Sequence, residues 1–119
     1  MAQYVDGFLV PVPKKKVEAY RRMSSKAGKI WRELGALEYR ECVGDDLRKG
    51  GTPFKRGVKQ KAGEAVFFSW IVYRSRAQRD RVVAKVMQDP RILALGKMDE
   101  MPFDVRRMAY GGFRVVVDE

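Results

Sequence analysis

The segment Glu64–Arg74 reads EAVFFSWIVYR, and it decides most of what this chain can become. As a strand it points Val66, Phe68, Trp70 and Val72 one way, and Phe67, Ser69, Ile71 and Tyr73 the other. Both faces are apolar, so both need cover. Segment Gln3–Val12 repeats the pattern, with Tyr4, Phe8 and Val10 opposing Val5 and Leu9. A sheet built on two such strands must be covered on two sides.

The rest of the sequence shows what is available as cover. Pro11 and Pro13 close the first strand, and Pro13 suits the start of a helix. A helix is predicted from Lys14 to Leu34. Its stripe is Val17, Tyr20, Ser24, Ala27, Trp31 and Leu34, widened by Met23 and Ile30, with Gly35 at the C′ stop. A second strand is expected over Ala36–Val43, followed by a glycine-rich polar stretch, Gly44–Gly63. After Glu64–Arg74, Ser75 and Gln78 form a capping-box pattern that opens a second helix. Its expected core stripe is Val82, Val83, Val86 and Met87; Pro90 ends it, and Arg91–Lys97 can add a further turn. A last strand is expected over about Arg107–Val117, where Gly111-Gly112 suggests a bulge or the close approach of another backbone.

This order predicts an α+β, ferredoxin-like β-α-β-β-α-β domain over residues 1–119, with a four-stranded antiparallel sheet and both helices on one face. The other apolar face then lacks cover. The economical partner is a second copy packed sheet to sheet, so a homodimer through the sheet faces is expected.

The runs YVDGFLVPVPKKKVEAYRRM (Tyr4–Met23), WRELGALEYRECVGDD (Trp31–Asp46), FSWIVYRSRAQRDRVVAKVMQDPR (Phe68–Arg91) and MPFDVRRMAYGGF (Met101–Phe113) resemble the YbaA-like family of small bacterial proteins. The resemblance spans nearly the whole chain apart from the Arg48–Gln60 loop. It implies membership of the dimeric α/β-barrel superfamily, with a ferredoxin-like protomer and a sheet-to-sheet dimer. It carries over no mechanism. Members of the wider superfamily often hold small aromatic or polyketide-like molecules between sheet and helices.

Composition excludes several chemistries. There is no histidine, which removes Ser-His-Asp and Cys-His nucleophile systems, His-ligated zinc and imidazole general bases. The acidic pairs Asp45-Asp46 and Asp99-Glu100 lack companions at metal-ligand spacing, so no metal is expected, and no motif asks for a cofactor. The single cysteine, Cys42, cannot make an internal disulfide and is expected as a small buried residue in a cytoplasmic protein. Residues Met1–Asp6 show no basic region leading into an apolar one, so no secretory signal is expected. The longest apolar stretch, Ala65–Tyr73, is far short of the roughly 20 residues that span a bilayer, so no membrane partner is expected.

Three groups of candidate site residues remain. Glu38, Tyr39, Arg40 and Trp70 place charges beside aromatic groups and can line a small-ligand pocket, with Trp31 and Tyr20 as further walls. The same strand charges equally suit an edge ladder that discourages aggregation. Lys14, Lys15 and Lys16 stand at a helix start, where exposed N–H groups and three ammonium groups favour an anion. The net charge is +10, and residues 1–63 carry 15 basic against 7 acidic side chains. Within them Arg48–Lys61 has six basic residues and no acid. Lys55, Arg56, Lys59 and Lys61 can track a nucleic-acid backbone with Phe54 stacking on a base, or simply form a solvated loop. The expected function is a small dimer binding a small ligand between sheet and helices, with or without catalysis. The alternatives are a structural or partner-binding dimer, and a nucleic-acid-associated protein using the basic loop.

Overall fold

The computed structural model describes residues 2–47, 53–97 and 100–119. Four strands, β1 (Tyr4–Pro13), β2 (Glu38–Val43), β3 (Glu64–Tyr73) and β4 (Ala109–Arg114), form one sheet in the order β2-β3-β1-β4. Every neighbouring pair is antiparallel. The long helices are α1 (Val17–Glu33) and α3 (Arg76–Gln88); α2 (Phe54–Gly57) and α4 (Pro90–Leu93) are single turns. The ferredoxin-like α+β expectation therefore holds.

Registers fix which side chains share a face. Leu9, Arg40 and Cys42 align with the even-numbered residues of β3, whereas Phe8, Tyr39 and Glu41 align with its odd-numbered ones. The odd face carries the helices. There Ile71 and Tyr73 join Ala36, Val82 and Val86 in one buried cluster, with Trp31, Leu34 and Tyr39 packed against it. Phe67 joins Val10, Val12 and Tyr20 in a second cluster, and Phe8 touches both. Trp31 Nε1 donates to the Tyr73 hydroxyl at 3.0 Å, which settles the polar atom of each ring within the first cluster.

Local signals act where the sequence places them. Gly35 adopts φ 125°, a conformation that L side chains rarely take, and stops α1. Ser75 Oγ accepts the Gln78 backbone N–H at 3.1 Å, and Gln78 Oε1 accepts the Arg74 N–H at 2.6 Å. Gln78 Nε2 then donates to the Gly35 carbonyl at 2.8 Å, so the cap of α3 also ties down the end of α1.

Four local expectations change. Met87 is 53% exposed, because the buried face of α3 is the single row Gln78, Val82 and Val86. The last strand ends at Arg114, and Val116 and Val117 are exposed. Gly111 and Gly112 sit in an unbroken ladder opposite Gly7 and Asp6, so there is no bulge. The approach at Gly112 comes from a side chain: a Cβ there would fall 2.4 Å from the Tyr4 hydroxyl. Cys42 is exposed, because its register opposite Phe68 puts it on the face the helices leave open.

That open face is apolar at its centre. Val5, Leu9, Trp70 and Val72 are half-buried there, while Phe68 is 48% and Phe113 is 62% exposed. Phe68 and Trp70 meet edge to face, with ring centroids 5.7 Å apart.

Candidate functional site

The odd face is not uniformly apolar. Ser69 interrupts the apolar row of β3 between Phe67 and Ile71, and it stands in register with Glu41 of β2. Ser24 occupies the matching place on α1, between Tyr20 and Ala27, and is buried. These residues make a polar seam between the two core clusters, and its centre is the Glu41 carboxyl.

Tyr20 Oη lies 3.0 Å from Glu41 Oε1 and 3.1 Å from Oε2, so its phenolic hydrogen is shared between the two oxygens. The Ser24, Ser69 and Tyr39 hydroxyls also lie close enough to this carboxyl to favour its charged form. Burial pushes the Glu41 carboxyl above its ordinary value, and the hydroxyl donors pull against that shift without reversing it. Burial and the adjacent carboxyl push the Tyr20 and Tyr39 phenols upward, so both stay protonated as donors. The result is a half-buried acid bonded to Tyr20 and flanked by three further hydroxyl groups.

The seam is reached from outside. An open groove of about 650 Å³ runs along the flank of α1, lined chiefly by Ser24, Gly28, Lys29, Arg32, Glu33 and Tyr39. Ser24 and Tyr39 therefore serve both the groove and the Glu41 shell. Gly28 permits this arrangement: a Cβ there would sit 2.6 Å from Tyr39 Cδ1, so any side chain would push the ring away from the helix.

The four residues expected to line one pocket are divided by the strand alternation. Tyr39 lies on the helix side, with its ring 6.1 Å from that of Trp31. Glu38, Arg40 and Trp70 lie on the open face, because Arg40 pairs with Trp70 and Glu38 with Val72. There Glu38 Oε1 accepts from Trp70 Nε1 at 3.0 Å and from Arg40 Nε at 2.8 Å. Those two donors hold the Glu38 carboxyl below its ordinary value. Trp70 is thus no wall of a sheet–helix pocket, whereas Tyr20 and Trp31 do face the helix-side interior.

The other candidates stand apart from the seam. Lys14, Lys15 and Lys16 form an exposed 3-10 turn ahead of α1, and the Lys14 N–H donates to the Gly63 carbonyl at 2.8 Å. Arg56, Lys59 and Lys61 are exposed around α2, but Phe54 is half-buried. Lys59 takes φ 54°, and its carbonyl accepts from Arg107 Nη2 at 2.9 Å. The Lys55 side chain and Arg48–Thr52 lie outside the described residues. Among the described residues no three His, Cys, Asp or Glu side chains are grouped to hold a metal, and no helix is long and apolar enough to cross a membrane.

Glu41 was absent from the expected site. The signal for it was present: alternation places it with Leu37, Tyr39 and Val43, an acid on an otherwise apolar strand face.

Comparison with known proteins gives consistent results. The family described as "Protein of unknown function (DUF1428)" matches residues 3–105. The uncharacterized protein YbaA of Escherichia coli strain K12 is 47% identical over 118 residues, covering 98% of this chain and 99% of YbaA. Among solved structures, a dimeric ferredoxin-like protein from an uncultured marine organism superimposes with a TM-score of 0.58 at 12% identity, over 100% of both chains. A candidate antibiotic biosynthesis monooxygenase from Nitrosomonas europaea gives a TM-score of 0.59 at 14% identity, covering 97% of this chain and 91% of its own. A nipsnap family protein with unknown function from Agrobacterium tumefaciens gives 0.57 at 14% identity, over 96% and 88%. At these identities the structural matches speak for the fold.

Proposed function

The chain belongs to the DUF1428 family, and from that premise we propose that it works as a homodimer in which each protomer binds a small molecule at the Glu41 seam. One observation carries the reading. A half-buried carboxyl bonded to Tyr20 has two of its neighbouring hydroxyls, Ser24 and Tyr39, on the wall of a groove open to solvent. Placing a carboxyl between core clusters costs free energy that an apolar residue would not, and a binding role accounts for that cost.

The dimer places the two functions on opposite faces. Packing the open faces together would cover Leu9, Phe68, Trp70 and Phe113 and leave both grooves accessible. The dimeric state of the marine ferredoxin-like protein supports a dimer.

A small-fragment library screened by two-dimensional amide NMR tests the binding site. Hits are expected to shift the amides of Ser24, Gly28, Tyr39 and Glu41 together, and to weaken in Tyr39→Ala. Hits that avoid these amides throughout the library would refute the reading.

A further inference from the structure

The charges around the groove are not balanced. Lys29 is exposed and makes no ion pair or side-chain hydrogen bond among the described residues. The Arg32 guanidinium uses Nη1 on the Leu37 carbonyl, and its other N–H donors make no further hydrogen bond among the described residues. The only acid on the groove wall, Glu33, is already bound by Arg91 Nη1 at 2.8 Å. The Glu38 carboxyl also acts on Arg32 but is itself bonded by Trp70 and Arg40, so the groove presents two cations and, among the described residues, no unpaired carboxylate on its own wall. Its inner end is different in character, with the Ser24 and Tyr39 hydroxyls backed by Glu41.

We infer that the groove takes a small organic anion, its charged group lying between Lys29 and Arg32 and its uncharged body directed toward Ser24 and Tyr39. This inference rests on the proposed binding site and adds the chemical class of its ligand. The seam supports it in one further way. The Glu41 shell is already supplied with hydrogen-bond donors, so a second cation is not required there. A cationic ligand would instead meet Lys29 and Arg32 before it reached the seam.

The test uses the full chain in low-salt buffer, with amide NMR titrations by four probes: benzoate, phenyl phosphate, benzyl alcohol and benzylamine. The inference expects saturable shifts at Ser24, Gly28 and Tyr39 with one or both anions, and weaker ones with the neutral and cationic probes. Lys29→Gln should weaken the better anion about fivefold, the effect of one lost charge pair in high dielectric. The tighter of the two anions identifies the group as carboxylate or phosphate. Equal or tighter binding of benzyl alcohol or benzylamine at the same amides would overturn the anion preference and leave the site standing. Shifts that avoid the groove with all four probes would overturn both.

Discussion

Tyr20 of α1 and Glu41 of β2 are joined by a hydrogen bond that ties the first helix to the edge of the sheet, with the phenol 3.0 and 3.1 Å from the two carboxylate oxygens. The same phenol ring packs on Phe67 at 4.5 Å and on Phe103 at 5.5 Å, so the polar contact is enclosed by aromatic ones. Tyr20→Phe keeps the ring and removes the bond. It should cost about 1–2 kcal/mol, the usual range for a lost side-chain hydrogen bond. In a Glu41→Gln background the same change should cost less. Urea denaturation of the four proteins of this cycle reads the coupling, and additive costs would show that the pair does not interact.

Gly28 marks where α1 meets Tyr39. Gly28→Ala forces a methyl to within 2.6 Å of the ring, an overpacking that should destabilise by about 1–3 kcal/mol. Tyr39→Leu should relieve most of that cost. An alanine that stabilises on its own, as expected for an ordinary helix interior, would mean that the ring is free to move.

The open face predicts a sharp assembly phenotype. Light scattering of the wild-type chain should give twice the 13.7 kDa protomer mass. Phe68→Glu puts a charge at the centre of the proposed contact and should return the mass to that of a monomer, because an unpaired buried charge is strongly disfavoured. Since Phe68 is 48% exposed in the protomer, the fold should survive, and circular dichroism checks that it does.

Glu64 governs part of the acid limb of stability. Arg107 holds its carboxyl below the ordinary value, with Arg107 Nη2 2.9 Å from Oε1, and the Lys61 N–H adds a bond at 2.8 Å. A lowered folded-state value means that the stabilisation is present above pH 4.5 and is lost as pH falls through the folded value. Arg107→Gln should therefore flatten the decline of the denaturation midpoint below pH 4.5. An unchanged acid limb would assign it to other carboxylates.

The architecture was legible because several signals agreed. The 2-residue period of β3, Gly35 after α1 and Ser75 before α3 each act where the sequence puts them. The site was less legible for a physical reason. With both faces of β3 apolar, alternation sorts residues into two sets but does not say which set meets the helices. Tyr39 and Trp70 therefore read as neighbours although the sheet lies between them. Glu41 could be found only once the helix-bearing face was known, since an acid on the open face would be an ordinary edge charge. Gly112 shows a related limit: the need for glycine there comes from Tyr4, far away in sequence and adjacent across the ladder.

The proposed function and the anion inference both take Glu41 to be a half-buried acid with a raised titration midpoint rather than a fully exposed carboxylate on an edge strand. Its raised folded-state value gives a definite sign: the folded chain holds the proton more tightly, so this group's contribution to stability falls as pH rises above 4.5 through the folded value. Glu41→Gln should remove that slope. The most direct measurement is the pH titration of the Glu41 side-chain carboxyl by carbon-13 NMR, assigned against Glu41→Gln. A midpoint above 4.5 is the predicted result. A midpoint at or below 4.5 in the wild-type chain would contradict the account.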